Sequence, residues 1–356
     1  MLEKTFKFLC RALPGLVLVL SSLCVTPVLA DVGDSAVIFM YHRFGESDFP
    51  STSIKIEQFE AHLEELKSGG YKVMALPDII TALQSGAQLP DKAVALSVDD
   101  AYLSVYNEAW PQLKELGYPF TLFVATDPVD RGIRGYMSWD QIRELMKGGV
   151  TIGSQTASHL HMAASSMTAN RRDIDKSNAR FLEELGRKPR LIAYPYGETS
   201  ERVSQLARSS GFVAGLGQHS GAAAKNPDMF YLPRFALNEN YGDIKRFKMA
   251  AGTLALDVVD ITPSDPLITG ADENPPTLGF TIRGEVALMK TLDRLACFSS
   301  HEGKLELMRL GGEDGQTRIE VRMQKPLPNG RTRLNCTLPA KNGRWYWFGR
   351  QFYTKK

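Results

Sequence analysis

Ala93-Val94-Ala95-Leu96-Ser97-Val98-Asp99-Asp100-Ala101 is a short apolar run that stops on two adjacent carboxylates. Its first half reads as a strand, Ala93–Ser97, and the carboxylates fall at the strand's end. Outward from it, short apolar runs alternate with longer amphipathic segments from residue 36 to about 216. The other candidate strands are Val37–Met40, Tyr71–Met74, Phe120–Val124, Val150–Ile152, Arg190–Ala193 and Phe212–Gly215. Between them, Phe59, Leu63 and Leu66 share a helical face, as do Trp110, Leu113 and Leu116. Ser138 with Gln141 predicts a capping box opening the helix that carries Ile142, Leu145 and Met146. Gly69-Gly70 and Gly148-Gly149 close helices. Strands alternating with helices imply parallel pairing in a barrel-like or doubly wound sheet. In either, the chemistry belongs at the C-terminal ends of the strands.

Three such ends carry polar or turn motifs. Asp99 and Asp100 cannot both enter the core, so one can bind a metal while the other takes a proton from water; the plainer reading is a solvated turn. Gly153-Ser154-Gln155-Thr156-Ala157-Ser158-His159-Leu160-His161 places two histidines in a loop of small polar residues, a pattern suited to metal ligation. Tyr194-Pro195-Tyr196-Gly197 permits a tight turn that can aim a backbone N–H inward, with aromatics to stack on a sugar ring. Three motifs after three strands converge on one site.

Met40-Tyr41-His42-Arg43-Phe44, Leu96-Ser97-Val98-Asp99-Asp100, Pro119-Phe120-Thr121-Leu122-Phe123-Val124 and Ala193-Tyr194-Pro195-Tyr196-Gly197 occur in the order found in polysaccharide deacetylases. Over residues 36–220 the chain resembles this group, the NodB-homology or carbohydrate esterase family four proteins. It is most similar to the exported poly-N-acetylglucosamine deacetylase branch. The resemblance implies an α/β fold, a distorted seven-stranded (β/α) barrel. It further implies Asp99 as general base, Asp100 and His159 as metal ligands, and a groove wall of Tyr194, Pro195 and Tyr196, with the Tyr196 N–H as oxyanion donor. Tyr41, from the first motif, joins the expected substrate-binding residues. The implied cofactor is a divalent metal, zinc first, with cobalt, nickel or manganese as alternatives.

The chain departs from the pattern at several points. Gln155 stands where the family has its first metal-binding histidine, and is assigned here to substrate binding. A glutamine carbonyl is a weaker zinc ligand than imidazole, so His161 is a candidate replacement. Ala101 replaces the usual glycine. Ala193 stands where many members have an arginine that orients the base, and Arg234 is a possible substitute. The general acid is a late histidine, for which His219 is the candidate. His42 reads as a hydrogen-bonded rim residue, and His62 and His301 lack a partner pattern.

At the N-terminus, Lys4, Lys7 and Arg11 precede an apolar stretch beginning at Leu16–Leu20, and Val28-Leu29-Ala30 fits signal peptidase cleavage after Ala30. A retained anchor is the alternative; with cleavage, the mature protein is periplasmic, secreted or at the cell surface, with no stable membrane insertion. Removing Lys4, Lys7, Arg11 and Glu3 from 42 basic and 40 acidic residues leaves 39 of each. That balance gives no basic stripe for nucleic acid. Only Cys297 and Cys336 remain after cleavage, and export favours a disulfide over two buried thiols. The expected division is residues 31–260 for the barrel domain, 261–276 for a linker and 277–356 for a small all-β domain. In that tail, Arg318, Glu320 and Arg322 alternate with Ile319, Val321 and Met323. Asn329-Gly330 and Asn342-Gly343 are hairpin signals. Trp345 and Trp347 share one strand face, serving either as core or as a sugar platform. The leading function is hydrolysis of N-acetyl or O-acetyl groups on an amino-sugar polysaccharide. The rivals are a carbohydrate-binding protein that has lost its metal, and a hydrolase of another carbon–nitrogen bond.

Overall fold

The structure is a computed structural model and describes residues 32–224, 228–270, 272–312 and 315–355. The expected signal segment, 1–30, lies outside the described residues. Among the described residues no helix is long and apolar enough to cross a membrane.

All seven expected strands form, with ends displaced by at most two residues. They are β1 (Ser35–Tyr41), β2 (Lys72–Val73), β3 (Ala93–Asp99), β4 (Phe120–Val124), β5 (Thr151–Ser154), β6 (Leu191–Ala193) and β7 (Ala214–Leu216). The parallel order is β7-β6-β5-β4-β3-β1, with β2 beside the start of β3. Beyond β1 lie two short strands that the sequence did not announce, β8 (Ala222–Ala224), antiparallel, and β9 (Phe235–Ala236), parallel. Three alanines and a two-residue strand are too brief for a periodic signal. The result is a curled half-barrel, the distorted form of the expected seven-stranded barrel.

Period two sorts side chains between the two faces of the sheet. Val94, Leu96 and Val98 join the core that holds Phe59, Leu63, Leu66, Leu113 and Ile142. Ala93 and Ala95 join the opposite core with Ile79, Ile192 and Tyr194. The Ala93 row continues through Ser97 to Asp99, so small residues lead up to a carboxylate. Gly153 is required where β5 meets β4, since a Cβ there would penetrate the Phe123 ring. The capping box forms, with Ser138 Oγ accepting from Gln141 N and Gln141 Oε1 accepting from Ser138 N.

Two further sheets follow. One orders β10 (Val258–Thr262), β11 (Leu278–Arg283), β14 (Gln316–Arg322) and β13 (Glu306–Leu310), all antiparallel. The other centres on β12 (Ala296–Ser299), β15 (Gly330–Pro339) and β16 (Trp345–Thr354). Phe280, Ile282, Ile319 and Val321 from the first meet Leu334, Leu338, Phe348 and Phe352 from the second in one apolar core. Asn329-Gly330 therefore does not close a hairpin. It passes the chain between sheets, because β14 and β15 bury their apolar rows against each other rather than pairing edge to edge. Asn342 and Gly343, both left-handed, do close the β15–β16 hairpin. The stretch 261–276 contains Leu267–Ile268, which pairs with the end of β16.

Residues 31–356 form one compact unit. Leu254–Ala255 pairs with Tyr346–Trp347 of β16, and Arg344 reaches Asp91 at 2.7 Å. Gly349 lies directly against the loop after β7, where a methyl group would overlap the Ser220 carbonyl. Trp347 packs edge-on against Phe235, at 5.2 Å between ring centres. Tyr346 and Phe348, its neighbours, turn into the sandwich.

Cys297 and Cys336 are direct cross-strand partners of β12 and β15 and are disulfide-bonded. Replacing both by serine removes the cross-link from the unfolded chain. We expect stability to fall by about 2–4 kcal/mol, read from the urea midpoint of the oxidised parent and the variant.

Candidate active site

β3 ends on Asp99, whose side chain is fully buried. Its two oxygens accept from the two terminal nitrogens of Arg234, at 2.7 and 2.9 Å, and that guanidinium is also 0% exposed. Arg234 further donates from Nε to the Gly217 carbonyl at 2.9 Å and from Nη1 to Ser97 Oγ at 3.2 Å. Sequence offered Arg234 only as a possible substitute for a missing arginine. The contact spans 135 positions of chain, which no local pattern encodes.

Asp100 turns out of the strand with φ 74°. Its Oδ1 lies 3.4 Å from His159 Nε2. Burial acts to raise the Asp100 carboxyl, but the His159 contact and the fields of His42 and His159 hold it below the usual value. Gln155 is fully buried, and its Oε1 accepts from the Asp100 backbone N–H at 3.1 Å. Gln155 thus works beneath Asp100 instead of facing substrate. Asp173, on the helix Met167–Leu185, accepts from the N–H groups of Ala157 and Ser158 and so pins the histidine loop. Of the eight non-glycine residues with positive φ among the described residues, five are Asp100, Ala101, Thr156, His159 and Tyr196. Such geometry costs of order 1–3 kcal/mol per residue and concentrates at functional sites.

A cavity of about 1110 Å³ opens over this point, lined by His42, Asp100, Tyr102, His159 and Tyr196 from the half-barrel. From the sandwich come Phe298, Arg331, Arg333, Asn335 and Trp347. His42, read from sequence as a rim residue, belongs to the site: its Nε2 is 4.0 Å from Asp99 Oδ2. The Tyr196 ring stacks on His161 at 4.0 Å, meets His159 edge-on at 4.5 Å, and its carbonyl accepts from Gln351 of β16.

Other expected site residues lie elsewhere. His161 Nδ1 is 2.8 Å from the buried Glu198, and its side chain is 51% exposed, so it braces Tyr196 rather than approaching Asp100. Tyr41 alternates away from the groove, with Oη 3.1 Å from His62 Nδ1 and its ring on Phe44 and Phe59. Tyr194 and Pro195 are buried in the turn, the former in the apolar core. His219 faces Tyr231 at 4.4 Å, while its neighbours Gln218 and Ser220 face the groove. Burial, then Arg350, Arg333 and Arg234, push its pKa down to about 3, so at neutral pH it carries no proton to donate as an imidazolium. His62, which sequence left without a partner, also has its second nitrogen on the Gly242 carbonyl at 2.8 Å.

The donor set can be tested against a divalent metal. Asp100 Oδ1 and Gln155 Nε2 are buried without hydrogen-bond partners. Two donors bound at about 2.1 Å across a tetrahedral angle stand roughly 3.4 Å apart, which is the Asp100–His159 separation. No group of three His, Cys, Asp or Glu converges among the described residues. The residues therefore fit a cation held by two protein donors, with its remaining positions open.

Residues 86–215 match the family model for polysaccharide deacetylase. The Bacillus subtilis protein YxkH is 26% identical over 197 residues, 55% of this chain and 69% of that protein. Poly-beta-1,6-N-acetyl-D-glucosamine N-deacetylase of Staphylococcus aureus is 25% identical over 217 residues, 57% of this chain and 73% of that enzyme. The structure of IcaB from Ammonifex degensii superposes with a TM-score of 0.54 at 27% identity, covering 62% of this chain and 98% of that one. With its motifs on the C-terminal ends of a curled parallel sheet, the stretch 86–215 is similar in sequence and in fold to polysaccharide deacetylases.

Four variants test this geometry. Arg234→Leu strands Asp99 as an unpaired buried charge and should cost about 3–5 kcal/mol in urea unfolding, with Arg234→Lys costing less. Gln155→His adds an imidazole beside Asp100 and His159 and should tighten zinc binding in a calorimetric titration, whereas His161→Ala should leave affinity unchanged.

Proposed function

We propose that the chain hydrolyses N-acetyl groups, or O-acetyl groups, of an amino-sugar polysaccharide outside the cytoplasm. The observation that carries this reading is the fully buried Asp99–Arg234 pair directly behind Asp100, His159 and His42, which line one groove. The name of the Staphylococcus aureus relative supports an amino-sugar substrate.

Arg234 fixes the plane of the Asp99 carboxylate through two hydrogen bonds, and Asp99 is the group to accept a proton from the water that attacks the acetyl carbon. His42, at the groove surface and 4.0 Å from Asp99, is the group to protonate the departing nitrogen as its bond to the acyl carbon breaks. Acetate and a free amine result. The Tyr196 backbone N–H is the oxyanion donor in this reading; its turn is held by Gln351 and its ring by His161. Asp100 and His159 would hold a divalent metal, which when bound polarises the acetyl carbonyl. Trp347, Phe298 and Tyr241 line the groove and offer aromatic faces to sugar rings.

Gln155, in place of a second imidazole, favours a rival reading: a glycan-binding protein without catalysis. Acetate release by the metal-supplied protein separates the two. Asp99→Asn and His42→Ala should each lower kcat by 10²-fold or more while zinc affinity persists. Loss of metal in Asp99→Asn would mean that the two aspartates exchange roles.

A further inference from the structure

The groove's charge is one-sided. Its lining carries four guanidinium groups, from Arg131, Arg246, Arg331 and Arg333, against the single carboxylate of Asp100. The chain as a whole is close to neutral, with 42 basic and 40 acidic residues, so the excess is a matter of placement. Arg331 and Arg333 stand two apart on β15 and therefore share a face. Arg331 has Glu198 at 3.6 Å. Arg333 donates from Nε to the Gln218 carbonyl at 3.3 Å, and Arg246 donates to the Ala236 and Tyr241 carbonyls. Neither Arg333 nor Arg246 has a carboxylate within 4 Å among the described residues. Both residues are half-buried, and the loss of water pulls both guanidinium groups below the usual arginine value, with Arg331 adding to the effect on Arg333.

A cation partly withdrawn from water without a counter-charge is costly. Here two of them, one from the half-barrel and one from the sandwich, face the same cavity, and Tyr241 joins them: its ring lies 4.9 Å from the Arg246 guanidinium and its side chain is 52% exposed. Phe298, 43% exposed, adds a second open ring to the lining. Planar guanidinium groups beside open aromatic faces make a subsite for a sugar that bears an acid.

We infer that the groove is built for an acidic polysaccharide, an acetylated glycan in which sugars flanking the acetylated one carry carboxylate or another anionic group. This rests on the deacetylase reading for the acetyl group but not for the acid. Uronic acids and the lactyl ether of muramic acid offer the same chemistry.

The test compares binding of three hexasaccharides by calorimetry: a neutral N-acetylglucosamine oligomer, one alternating N-acetylglucosamine with glucuronic acid, and one alternating it with N-acetylmuramic acid. At least one acidic oligomer should bind tenfold or more tightly than the neutral one, with the advantage shrinking as salt rises. Which one binds better identifies the source of the acid. The Arg246→Gln/Arg333→Gln double variant should lose the advantage, and the corresponding double lysine variant should keep most of it. Should the glutamine variant fail to fold, the salt dependence of the parent and the lysine variant still decide. Equal binding of all three, or an acidic advantage indifferent to salt or to the glutamine substitutions, overturns the inference. Acidic preference without acetate release from any of the three would instead retire the deacetylase reading and leave the acidic subsite standing.

Discussion

The contact on which most of this molecule depends is the buried pair of Asp99 and Arg234. An ion pair taken fully out of water gains little net stability, because desolvation of both partners offsets their attraction. What it supplies is position. Through Asp99 it fixes the end of β3, and through the Gly217 carbonyl it fixes the loop after β7. The backbone N–H of Arg234 donates to the His219 carbonyl at 2.8 Å, closing that loop onto the start of β9. That loop in turn carries Gln218 and Ser220 to the groove and meets β16. One side chain thus joins the chemistry, the open edge of the half-barrel and the sandwich.

The half-barrel was readable because its signals are local and repeated. Apolar runs at strand length, helical faces at three- and four-residue spacing and the Ser138–Gln141 box each announce themselves within a few residues. The acid residues at the end of β3 and His159 were readable for the same reason. The placement of the histidines was less legible. Sequence offered His219 as the candidate acid and His42 as a rim residue, and only tertiary packing sets His42 in the groove and His219 against Tyr231 behind it. Arg234 was ambiguous because its meaning lies in a partner far along the chain. The sandwich illustrates another limit: Asn329-Gly330 is a sound turn signal, but a turn does not say whether the next strand pairs with the last or crosses to an opposing sheet.

The left-handed residues and Gln155 are two sides of one arrangement. Asp100 and His159 face each other only because both leave the allowed regions that their strands use. The surroundings must hold them there, and the hydrogen bonds that do so are visible: Gln155 to the Asp100 backbone, Asp173 to the histidine loop, Gln351 to the Tyr196 carbonyl. Gln155 therefore has a structural task that an imidazole need not share. Its presence in place of an imidazole keeps the backbone of the aspartate supported.

The contact of Gly349 with the Ser220 carbonyl has a consequence for shape. Where a strand and a loop touch through side chains, the gap between them can widen or narrow as rotamers change. Here main chain lies on main chain, so the distance between the two is set by the contact radii of backbone atoms and not by rotamer choice. The half-barrel and the sandwich therefore meet along a seam that side-chain rearrangement cannot widen.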